Sequence, residues 1–163
     1  VDRGREAVAA AEAHAFDGTS AAERMTRDQA HELVDAVVGG AWWRSAGPSV
    51  VVTVPRRSAR SSSARSAPTA RSARGSDAVE VRLTDEQLSV STVAHELAHA
   101  LAGVDHGHDG LYRSAYVDVV SVVAGADARA ALADAFARFG LDVASRRWPA
   151  PWLAEGDDFV VIP

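Results

Sequence analysis

The sequence predicts an α+β domain in which a small sheet is covered by several helices. Apolar residues recur at helical spacing over much of the chain, and two short β-branched segments stand between turn signals. Four of the six histidines lie in or just after one strongly amphipathic helical pattern, within residues 95–108.

The first helix is expected over about Arg3–Phe16, "RGREAVAAAEAHAF", where strong helix formers place Ala7, Val8, Ala11 and Ala15 near one face. The turn composition "DGTS" ends it. In "TRDQAHELVDAVVGG", Thr26 and Gln29 have capping-box spacing, Leu33, Val34, Val37 and Val38 form an apolar stripe, and Gly39-Gly40 stops the run. "GPSVVVTVP" predicts a strand over about Ser49–Val54. A second strand is expected at Ala78–Leu83, where Val79, Val81 and Leu83 alternate with Glu80 and Arg82; it is the candidate edge for an extended peptide. Between them, about 56–77 is rich in Ser, Ala and Arg without apolar periodicity, and reads as a mobile loop.

Beyond the turn "TDEQ", Ser89 or Ser91 can cap a helix that runs to about Ala102 and stops at Gly103. Another helix is expected from about Leu111 to Val123, presenting Tyr112, Tyr116, Val119, Val120 and Val123. Asp127 is the expected cap of the next, which ends near Gly140. The Pro- and Trp-rich "RRWPAPWLAEGDDFVVIP" is expected to pack irregularly over the domain.

At 163 residues the chain suits a single domain, 1–163, and its 47% hydrophobic and 24% charged residues are in the ordinary globular range. No run approaches the roughly 18 apolar residues of a membrane span. The opening "VDRGREAVAA" carries charges where an export signal needs an apolar core, so a soluble cytoplasmic protein is the expectation. The absence of Cys excludes disulfides, thiolate zinc sites and cysteine nucleophiles, and leaves His and carboxylate as metal ligands. A net charge of −5 argues against nucleic-acid binding by the whole surface. Arg56, Arg57, Arg60, Arg65, Arg71 and Arg74 nevertheless form a local basic stretch, so a nucleic-acid contact there is a secondary possibility.

The chemistry concentrates in "HELAHALAGVDHGHDG". On a helix, His95 and His99 project from one face a turn apart and can share a metal ion. Glu96 is offset from that face and is the candidate general base for a water at the metal. Val93, Leu97 and Leu101 recur every four residues on another face, as a helix between core and cleft requires. The chain contains its own contrast in "HELVD", where Asp35 replaces the second His and leaves His31 an ordinary residue. A catalytic zinc takes three protein ligands and a water, so a third ligand is needed. Asp105 has the metzincin spacing after His99, although Ala102 replaces that motif's Gly; His106 and His108 both follow Gly103, where the chain can turn back.

The stretch "HELAHALAGVDHGHDGLYRSAYVDVV", residues 95–120, resembles the H-E-L-x-H … G-H-G-P-E-F pattern of SprT/Spartan-like zinc proteases. It is more closely similar to that of small zinc metallohydrolases found in actinobacteria. Gly107-His108 aligns with the G-H pair, while Asp109-Gly110 and Leu111 depart from the rest of the pattern. The resemblance implies His108 as third ligand, Zn2+ as cofactor and a minimal zincin fold, a small sheet packed on the metal helix. The resemblance supplies no substrate; the leading expectation is zinc-dependent hydrolysis of a peptide or protein substrate with Glu96 as base. Tyr112 or Tyr116 would then either donate to the oxyanion or fill the core. Two other functions fit the same residues: a non-catalytic module in which zinc ties His95, His99, His106 and His108 together, and a DNA-associated protease.

Overall fold

A computed structural model describes residues 4–48, 50–53, 63–66, 78–84 and 88–153. Helix dominates these residues. The elements are α1 (Gly4–Phe16), α2 (Arg27–Gly39), α3 (Ala41–Ala46), β1 (Val50–Thr53), β2 (Ser63–Ser66), β3 (Val79–Arg82), α4 (Val90–Ala102) and α5 (Gly110–Arg138).

Local chemistry sets most of the boundaries. Thr26 Oγ1 accepts from the Gln29 amide at 3.2 Å while the Gln29 side chain accepts from the Thr26 amide at 2.8 Å, completing the expected capping box of α2. Ser89 Oγ accepts from the Thr92 amide at 3.1 Å and caps α4. The entry to α4 is further fixed by a bridge between Arg24 and Ser89, with the Met25 amide donating to Leu88 O at 3.0 Å.

The sheet order is β1-β3-β2, with β1 parallel and β2 antiparallel to β3. Two expectations are corrected here. The segment Ala78–Leu83 supplies the central strand, so its backbone is paired on both sides and has no edge for a peptide. The stretch 56–77 is not wholly a loop: four of its residues form β2, and the remainder lies outside the described residues. An edge strand of Ser, Ala and Arg is held by its backbone hydrogen bonds, which leave no apolar alternation to read. β3 does show the alternation, with Val79 and Val81 buried and Glu80 and Arg82 half-buried.

Helix α4 lies against β2, β3 and, most extensively, α5, while α1 packs on α5. Val93, Leu97 and Ala98 of α4 are fully buried, as are Tyr112, Ala115, Tyr116 and Val119 of α5. Each large apolar side chain removed from water in this way contributes about 1.5–3 kcal/mol. The expected pair of helices after Leu111 is present within α5, which breaks at Gly125, φ 89°, two residues before the expected cap Asp127. The short α3 was not foreseen, because Gly39-Gly40 reads as a stop. It forms around adjacent tryptophans: Trp43 Nε1 donates to Pro48 O at 2.7 Å and Trp42 Nε1 to Pro149 O at 2.8 Å. Among the described residues no helix is long and apolar enough to cross a membrane.

The segment after α5 is fastened by Asp118, a fully buried carboxylate on α5. Arg146 meets it with Nε at 2.7 Å and Nη2 at 3.0 Å, and Trp148 Nε1 donates to it at 2.8 Å. Fork geometry and the added indole satisfy a charge that would otherwise be costly to bury. Replacing Arg146 by Ala leaves that carboxylate with the indole alone among these side-chain donors. The expected cost is about 2–3 kcal/mol in chemical denaturation, near the lower end for breaking a buried pair; a loss below about 0.5 kcal/mol would show that the clamp contributes nothing.

Candidate metal centre

The site is built where α4 ends, the chain reverses and α5 begins. His95 and His99 stand on the face of α4 that is not committed to the core, and both are half-buried. At Gly103 the backbone takes φ 107°, a conformation that side-chain-bearing residues rarely adopt, and α4 stops. One 3-10 turn, Val104–His106, follows; Gly107 then takes φ 58° and directs His108 back under the helix.

Asp109 fixes the start of α5 and, with it, His108. Its Oδ1 accepts from the Leu111 and Tyr112 amides at 2.9 and 3.0 Å, and its Oδ2 contacts His106 Nδ1 at 2.8 Å. Arg113 completes the fastening, with Nη1 donating to His108 O at 2.6 Å and Nε to Asp142 O at 2.5 Å. The Ala144 amide donates to Gly110 O at 3.0 Å, so the segment beyond α5 braces the same turn.

These constraints bring His95, His99 and His108 together, with one potential ligand atom from each lying within 4.8 Å of the others. His95 Nε2 and His108 Nε2 are 3.2 Å apart. Nitrogens about 2.0–2.1 Å from a tetrahedral zinc are about 3.3–3.4 Å apart, so this pair already has the needed spacing. Three histidines are thus in position to hold a metal ion.

Tyr112 packs against all three rings, with centroids 4.2 Å from His99, 4.8 Å from His108 and 5.4 Å from His95. Its ring is fully buried and forms an apolar floor under the imidazoles. Tyr116 is equally buried, and its hydroxyl donates to Ser91 O at 3.3 Å. Burial pushes that hydroxyl well above its ordinary pKa, helped by Glu12, Tyr112 and Glu96 nearby.

The other sequence candidates separate clearly. His106 is directed to Asp109 and stays outside the cluster, and Asp105 is exposed and also outside it. His31 on α2 has no place in the group. Glu96 is 4% exposed, and its Oε2 has no hydrogen-bond partner among the described residues. Burial pushes its carboxyl up to about 7; His95 acts in the opposite direction and Glu12 in the same one. A buried carboxyl with an uncommitted oxygen, next along the helix from His95, fits a group that exchanges a proton beside a cation.

One residue of this site was missed in the sequence: Glu12 of α1, whose Oε2 lies 3.2 Å from His95 Nδ1. The signal was present. Val8, Ala11 and Ala15 define the apolar face of α1, and Glu12 lies along its border, four residues after Val8.

An open cavity of about 730 Å³ between α1, α2 and α5, lined by residues including Phe16, Arg24, Leu33 and Val123, contains none of the three histidines. Compared with known proteins, the chain matches no family model, no curated protein and no solved structure.

Hydrogen bonding makes the cap testable. Burial alone would raise the Asp109 pKa, but the Tyr112 amide, His106 and the Leu111 amide outweigh it and hold the carboxyl below its ordinary value. Such a group stabilises the fold above the unfolded-state pKa, and the contribution is lost as pH falls through the lowered folded value. Asp109→Ala is expected to cost about 1 kcal/mol at neutral pH. Its difference from the parent chain, measured by denaturation in the presence of chelator, should shrink below about pH 4. A difference that grew on acidification would contradict the assignment.

Proposed function

We propose that the chain is a zinc-dependent metallohydrolase that cleaves peptide bonds, with His95, His99 and His108 as protein ligands and Glu96 as general base. The observation that carries this reading is the convergence of three histidines beside a buried carboxylate with an uncommitted oxygen. The motif likeness to SprT/Spartan-like zincins and small actinobacterial metallohydrolases supports it over residues 95–120. Imidazole ligands without cysteine suit zinc, and three of them leave a coordination position for catalysis.

His95, His99 and His108 would hold the zinc, which would supply Lewis acidity for activating water and polarising a carbonyl. Glu96 Oε2 takes the proton of the attacking water and returns it to the departing amine. Tyr112 shields one side of the imidazoles from water, while the hydroxyl of Tyr116 is directed to Ser91 O and serves the core. The edge strand beside α4 is β2, and an extended peptide would pair with its open side.

A four-histidine structural zinc site is disfavoured because His106 lies outside the group formed by His95, His99 and His108. The proposed reading expects one zinc per chain. His108→Ala should lower zinc affinity at least about tenfold, whereas His106→Ala should leave it within about twofold, measured by competition with a chromophoric chelator. Glu96→Gln should keep fold and zinc while hydrolysis of a peptide library falls by about 100-fold or more. Unchanged turnover in Glu96→Gln would refute the mechanism.

A further inference from the structure

We propose that Glu12 is the positioning residue of the metal centre: its carboxylate orients His95 and fixes the protonated nitrogen of that ring. This rests on the reading of His95 as a zinc ligand and assigns a function to α1 that the H-E-L-A-H motif does not contain.

The geometry is specific. Glu12 Oε2 faces His95 Nδ1 at 3.2 Å, and both side chains are 22% exposed, so the contact is largely shielded from water. A carboxylate oxygen accepts, which requires Nδ1 to carry the proton. In the neutral ring the lone pair then belongs to Nε2, the atom that points toward His108 Nε2. Glu12 thereby selects the tautomer able to bind a cation at the common point of the three rings. An imidazole backed by a carboxylate is also a more basic ligand than an isolated one.

The carboxylate is itself held. Val8, Ala11 and Phe16 bury the apolar face of α1, which packs on α5. Helix α1 therefore presents Glu12 from a fixed platform, and His95 is oriented by an element eighty-three residues away in sequence.

The test compares zinc affinity of the full chain with that of Glu12→Gln, Glu12→Asp and Glu6→Gln. Glu6 is exposed on the same helix and controls for the lost charge alone. Zinc is titrated against a chromophoric chelator, circular dichroism checks folding, and 15N NMR of the metal-free protein reads the His95 tautomer. The expected result is a 10–100-fold loss of affinity in Glu12→Gln, partial recovery in Glu12→Asp and less than a twofold change in Glu6→Gln. His95 should carry its proton on Nδ1 in the parent chain and become a tautomeric mixture in Glu12→Gln.

Equal affinities of the parent and Glu12→Gln would overturn the inference while leaving the metal centre intact. Equal losses in Glu12→Gln and Glu6→Gln would overturn it in favour of a general charge effect. Should Glu12→Gln fail to fold, a folded Glu12→Asp that retains measurable affinity and the Nδ1 tautomer supports it, and one with the other tautomer overturns it. A parent chain that binds no zinc would instead overturn the reading of the site on which the inference rests.

Discussion

The reversal of the chain between α4 and α5 is the constraint on which the site depends. His95 and His99 are placed by helical periodicity alone, but His108 joins them only because residues 103–109 turn back within a short distance. Gly103 and Gly107 supply the positive φ angles, and Asp109 closes the turn by capping α5. Arg113 then holds the His108 carbonyl and the segment beyond α5 together. A ligand on a turn is usually less well fixed than one on a helix, and this set of hydrogen bonds offsets that disadvantage.

Two carboxylates, one buried and one half-buried, tie distant parts of the chain to this frame. Asp118 secures the segment after α5 through Arg146 and Trp148, and Glu12 joins α1 to α4 through His95. Glu96 is different, because one of its oxygens has no hydrogen-bond partner among the described residues and its carboxyl is raised to about 7. Two carboxylates committed to partners and one left uncommitted divide structural work from proposed chemistry on physical grounds.

Much of this was legible in the sequence where one element carries the whole signal. The capping box at Thr26, the stop at Gly103 and the face shared by His95 and His99 follow from local spacing. The choice between His106 and His108 did not, since it depends on the backbone angles at Gly107 and on Asp109 engaging His106. β2 was invisible because its stabilising interactions are backbone hydrogen bonds to β3, and that pairing also moved Ala78–Leu83 from edge to centre. Glu12 and Asp118 illustrate a usable middle case: a lone carboxylate on or beside an apolar stripe signals a buried partner without naming it.

The coordination of zinc in the loaded protein tests the central claim most directly. X-ray absorption at the zinc edge is predicted to show three imidazole nitrogens at about 2.0–2.1 Å and one exchangeable oxygen. A closed shell of four protein ligands, or fewer than three imidazoles, would contradict a catalytic centre built from His95, His99 and His108.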